Sequence, residues 1–141
     1  MTEAEFSDLI DARFPYGKSG EALKLVELAC SISPNAAFMV AEELARPPRS
    51  ARVSRHRREI LLGELERRFD HPLKERIFTI ARRLIGGCEL AVPEALEAVR
   101  AIASYPGQYA ALNIAYFSAD DVAGDVDQAK QQVVGRWSRG A

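Results

Sequence analysis

The residues with a capacity for chemistry are few and scattered along the chain. Gly17-Lys18-Ser19 has the ending of a phosphate-binding loop, yet the leading glycine of such a loop would fall at Ala12, and no strand pattern precedes it. Asp120 and Asp121 form a carboxylate pair. Consecutive residues of a helix point about 100° apart, so the two do not converge on one proton. Their place behind Ser118 suits the positive end of a helix dipole instead. His56 and His71 lack a carboxylate at metal-binding spacing, and His71, just before Pro72, is expected to help cap a helix. No serine occupies a Gly-x-Ser-x-Gly elbow. Cys30 and Cys88 are far from a CxxC motif and are expected to be free, buried thiols. These residues give no catalytic group, no metal site and no cofactor.

Arginine is concentrated in one place. Arg46, Arg49, Arg52, Arg55, Arg57 and Arg58 lie together with His56, and no acid interrupts them. Arg49, Arg52, Arg55 and Arg58 fall three apart; on one helix each step drifts by about 60°, so the four would cover a broad wall. Guanidinium forks suit carboxylates and phosphates. The wall has three readings. It is a solvated face paired with Glu42 and Glu43 or with the Asp120, Asp121, Asp125 and Asp127 group. It docks an acidic protein. Or it holds nucleic acid, although no aromatic residues interleave the arginines for base stacking. Tyr109 and Tyr116, seven apart, share a helix face and act either in packing or as exposed binding hot spots. The candidate binding residues are therefore Arg49, Arg52, Arg55, Arg58, Tyr109 and Tyr116.

The elements that must position them read as helices throughout. Thr2 and Glu5 form a capping box ahead of a helix whose apolar stripe is Phe6, Leu9, Ile10 and Phe14, stopped by Pro15-Tyr16-Gly17. A second helix runs from about Gly20 to Ile32. Ser33-Pro34 caps and opens a third, which stops at Arg46-Pro47-Pro48. A fourth is predicted from near Ser50 to Phe69, basic at first and then apolar inward through Ile60, Leu61, Leu65 and Phe69. A fifth follows Asp70-His71-Pro72 and ends at Gly86-Gly87. A sixth spans Pro93 to Tyr105, a seventh opens at Pro106-Gly107, and a last one runs from Ser118 to about Trp137. No segment alternates apolar and polar residues for long, so no sheet is predicted.

One spacing recurs. Glu21 precedes Pro34, Glu59 precedes Pro72 and Glu94 precedes Pro106, with Glu-to-Glu steps of 38 and 35 residues. Steps of this size belong to helical-hairpin repeats, which bury their apolar faces by stacking. Around Asp70-His71-Pro72-Leu73-Lys74-Glu75-Arg76-Ile77, with Ala81 and Leu84 following, the middle copy resembles a HEAT repeat. The resemblance implies a turn Asp and a following Arg that form a ladder between repeats; Ser33 and Tyr105 replace the Asp, and Met39 and Ala111 the Arg, in the flanking copies.

The 141 residues suit one domain, with 48% hydrophobic and 28% charged residues and a net charge of −1. Such a balance excludes a global attraction to nucleic acid or anionic lipid. No apolar run approaches the roughly 18 residues of a membrane span, and the acidic start does not read as a signal peptide, so the cytoplasm is the expected location. Residues 1–141 are thus expected to form a single all-α domain: an α-α superhelix of about three stacked hairpins, HEAT-like, with capping terminal helices. The expected function is protein–protein interaction, as an adaptor or an inhibitor of the immunity type, through the Arg-rich face and with an acidic partner. Nucleic-acid binding through the same face is the alternative, and an all-helical enzyme stands behind both.

Overall fold

A computed structural model describes residues 1–13, 19–46, 53–88 and 90–117. These form seven helices and, among the described residues, no strand: α1 (Glu3–Arg13), α2 (Ser19–Ile32), α3 (Pro34–Ala45), α4 (Arg55–Arg67), α5 (Lys74–Ile85), α6 (Val92–Ile102) and α7 (Tyr109–Phe117). The helix expected from Ser118 to Trp137 and the Pro15-Tyr16-Gly17 stop lie outside the described residues.

Local chemistry sets most of these ends. At α1 the Thr2 hydroxyl accepts the Glu5 amide at 3.1 Å, and the Glu5 carboxylate accepts the Thr2 amide at 3.2 Å, closing the expected box. Ser33, extended and ahead of Pro34, accepts the Ala36 amide at 3.1 Å. Its own hydroxyl donates to Glu3 at 2.9 Å, tying α1 to the start of α3. At the end of α5, Gly87 adopts φ +78°; its amide bonds Leu84 and the Cys88 amide bonds Arg83, which is a Schellman closure that glycine makes accessible.

Several boundaries differ from expectation: α4 ends at Arg67 rather than Phe69, α7 starts at Tyr109 rather than at Pro106-Gly107, and two others shift for reasons that the hydrogen bonds show. α4 begins at Arg55, not near Ser50, because Ser54 is extended (φ −62°, ψ 153°) and caps it by accepting the Arg57 amide at 3.2 Å. α6 ends at Ile102 rather than Tyr105. The Ser104 and Tyr105 amides bond back only three residues, to Ala101 and Ile102, tightening the chain into the turn completed by Gly107 at φ +88°.

The helices pair as three hairpins, α2/α3, α4/α5 and α6/α7, with α1 against the first. They gather around α3, which packs on α1, α2, α4, α5 and most extensively on α7. Ala36, Ala37, Phe38, Val40, Ala41 and Leu44 are wholly buried there. Phe38 meets Phe69 edge-on at 5.4 Å and His71 at 5.6 Å, joining the first two hairpins through aromatic edges. On α4 the core stripe is Leu61, Leu62 and Leu65; Ile60, expected inward, is 52% exposed because it lies on the far side of the helix from that stripe.

Asn35 is the buried polar residue among those described, at 1% exposure. Its Oδ1 accepts the Ala110 amide at 3.1 Å, capping α7 from the first turn of α3. Asn35→Ala should therefore cost about 1–2 kcal/mol in urea unfolding. Gly63, mid-α4, has nothing within 4 Å of the site a Cβ would take. Gly63→Ala should stabilise by about 0.5–1 kcal/mol in the same measurement.

Candidate functional site

Of the six residues singled out in the sequence, the structure describes the side chains of Arg55, Arg58 and Tyr109. Arg49 and Arg52 lie outside the described residues; α4 itself begins at Arg55, behind the extended cap Ser54, and carries Arg55 and Arg58 of the four. Arg58 is half-buried and donates through Nη1 to the Leu44 carbonyl at 3.3 Å. Leu44 lies in the last turn of α3, where carbonyls lack helical partners and a cation is favoured. Arg55 pairs with Glu59 at 3.2 Å, and its Nη2 lies 3.4 Å from the Cβ position of Gly86, beside the carbonyl end of α5. Both arginines thus face the negative ends of neighbouring helices. Glu42 and Glu43 pair with neither of them.

Tyr109 stands at the opposite end of α3, beside Asn35 and Glu3. Asn35 and Leu44 are nine residues apart, about 14 Å along the axis. Tyr109 is 41% exposed. Burial, then the Glu3 charge, raises its phenol above the usual range, against a smaller effect of Asn35. The Tyr116 side chain lies outside the described set. Of the cysteines, Cys30 is half-buried and Cys88 exposed, and both are free; Cys88 was expected to be buried, but it stands just past the Schellman turn.

The residues that the structure does bring together are others. α5 and α6 diverge to leave an open cleft of about 470 Å³. Arg83 of α5 bonds Glu94 of α6, and Arg76 reaches Glu97 at 3.4 Å, so two ion pairs span the cleft. Ile80, Leu90 and Ala98 form its apolar floor. Arg76 and Arg83 are seven apart and share one face of α5. Asp70 and Arg76, the pair that the HEAT resemblance expected in a ladder, have other partners: Asp70 is 98% exposed and lies 3.9 Å from Lys74, and Arg76 engages Glu97. The Glu94–Arg83 and Glu97–Arg76 partnerships were not foreseen, since a helix sequence does not say which neighbour its charged face meets.

A second cluster joins Glu42 and Glu43 of α3 with Asp11 of α1. Burial pushes the Glu42 carboxyl up to about 6, against a hydrogen bond from Asn113 and the charge of Arg46. Burial, then the charges of Glu42 and Asp11, pushes Glu43 up to about 7. His71 moves oppositely: its ring is half-buried, which lowers its basicity, and its Nδ1 accepts the Leu73 amide at 3.1 Å in the turn before α5; Leu73, not His71, is the N-cap residue, and no side chain caps the helix. Among the described residues no group of three or more His, Cys, Asp or Glu is placed to hold a metal ion, and no helix is long and apolar enough to cross a membrane.

The chain matches no family model, no curated protein and no solved structure. The functional reading therefore rests on geometry.

The raised carboxyls have a consequence for stability. A group whose folded value exceeds its unfolded value contributes stability below the unfolded value, and that contribution is lost as pH rises through the folded one. For Glu42 and Glu43 the window runs from 4.5 up to about 6 and 7. Melting temperature should fall between pH 5 and pH 8 on this account, and Glu43→Gln should flatten the fall. His71, lowered from 6.5, works the other way, withdrawing stability as pH drops below its unfolded value. A Glu43→Gln profile superimposable on that of the parent would disprove the assignment.

Proposed function

We propose that this chain is a protein-interaction module, an adaptor or an inhibitor, built from HEAT-like helical hairpins that close around α3. The hairpin turns at Pro34, Pro72 and Pro106 support the repeat, since they fall where the Glu–Pro spacing puts them. The contact of α3 with α7 joins the first hairpin to the third, giving a more closed form than a stack in which each repeat touches only its neighbours.

The observation that carries the functional reading is the α5/α6 cleft. The four side chains of its two ion pairs are between 37% and 71% exposed, and such ion pairs contribute little to stability, so opening them costs little. Beneath them lies apolar surface. A partner segment with acids spaced for Arg76 and Arg83, and a base for the released Glu94 or Glu97, would exchange internal pairs for intermolecular ones while covering the floor. The ionisable groups face one another across the cleft instead of converging on a point, which favours binding over catalysis. Arg55 and Arg58 face the carbonyl ends of α5 and α3, which weakens the case for nucleic acid on that side.

Affinity capture from the native cell with nuclease present is the test. A stoichiometric partner should be retained by the parent and by Arg55→Glu, and lost with Arg76→Glu/Arg83→Glu at unchanged melting temperature. A partner indifferent to the double substitution, or none above background, would sink the cleft as the binding site.

A further inference from the structure

The outward pole of α4 carries an isoleucine and a glycine that folding does not explain. His56, Ile60, Gly63 and Arg67 recur at steps of four, three and four, which places them within about 60° of one another around the helix. Leu61, Leu62 and Leu65 occupy the opposite side and are buried. A solvent-facing helix surface is best filled by alanine and long charged residues. Here it holds an isoleucine at 52% exposure, beside a glycine with open space where its side chain would be. The spacing is that of a seam between two helices, in which a side chain of one enters a gap in the other.

We infer that α4 is the contact between two copies of this chain, packed antiparallel about a twofold axis that passes between Ile60 and Gly63. Turned end for end, one copy's Ile60 meets the partner's Gly63, and the partner's Ile60 fills the first copy's gap. The same operation brings Arg57 toward the partner's Glu64, twice by symmetry, as an isologous contact requires. Arg57 makes no ion pair among the described residues, whereas Glu64 already holds Arg67 and Arg68 and adds a cation without losing its own. On the other flank Glu59 approaches the partner's Glu66. Each is paired within its own chain, to Arg55 and Arg82, so their mutual repulsion is screened. His56 faces the partner's Arg67 at the ends of the seam, where solvent has access. This contact uses the side of the second hairpin away from the cleft and does not depend on the cleft having a partner.

A single pair of four-turn helices lies at the small, transient end of interface sizes, so monomer and dimer should coexist at about 10–100 µM chain. Sedimentation velocity across that range should show a coefficient that rises with concentration. Ile60→Ser should weaken association at least about tenfold. Gly63→Ala should melt higher yet associate less, which separates the partner's need for the gap from the helix's own preference. Arg57→Glu should weaken the dimer, and Arg57→Glu/Glu64→Arg should restore it. A single monomeric species throughout overturns the inference, as does a dimer that Ile60→Ser leaves unchanged. Loss of the dimer in Arg57→Glu without recovery in the charge exchange overturns the antiparallel register. Melting curves on each variant keep misfolding distinct from loss of contact.

Discussion

Five helices have to approach α3 at once, and the size of its side chains decides whether they can. A helix surrounded in this way cannot present large residues in every direction. α3 alternates Ala36, Ala37, Ala41 and Ala45 with Phe38, Val40 and Leu44, all buried. The alanines let neighbours come close, and the larger residues interlock with what arrives, which is how interiors reach crystalline density. Deleting or enlarging a methyl here would be felt by several helix pairs together. The central position also accounts for Asn35. A helix that starts inside the bundle has amides with no water to meet, so α7 takes its cap from α3.

Helix ends are the second organising feature. The first turn of α4 is basic, which its own dipole disfavours. The geometry offsets this by setting that turn beside the carbonyl ends of α3 and α5, with Arg58 donating to Leu44 and Arg55 lying at Gly86. Lys74 repeats the device at the other end of the hairpin, donating to the Glu66 and Phe69 carbonyls at 3.0 Å each. What reads in sequence as an arginine patch is thus in part a set of fasteners between helices, within the second hairpin at Arg55 and between the first two at Arg58.

That distinction marks how far sequence alone could go. Elements announced by local chemistry were readable: the Thr2–Glu5 box, Ser33 before Pro34, and the Gly86-Gly87 stop. All three depend on bonds within a few residues. The start of α4 was misplaced because Ser50 and Ser54 are both able caps by residue type, and it is Ser54 that accepts the Arg57 amide. Asn35 looked like any polar residue in a first turn, since its partner Ala110 is 75 residues away. The candidate site fared less well than the fold. Arg76 and Arg83 were visible as charged residues of an amphipathic helix, but Glu94 and Glu97 became their partners only when α6 was placed. Glu42 and Glu43 were considered as mates for arginine, and their desolvation depends instead on how α1 and α7 cover α3.

The packing also explains why a cleft can exist where it does. α6 packs chiefly on α7, and among the described helices it is the one without an extensive contact on α3. Its link to α5 is two ion pairs exposed to water, which fix direction more than they supply energy. The more extensive helix contacts run among α3, α5 and α7, while Ile80, Leu90 and Ala98 form the apolar floor between α5 and α6. Widening the α5/α6 gap therefore leaves the main core intact, and segments of low local stability are where binding surfaces are commonly drawn from. The proposed binding role therefore sits more naturally at this gap than at the first turn of α4, where Arg55 and Arg58 already lie against the carbonyl ends of α5 and α3.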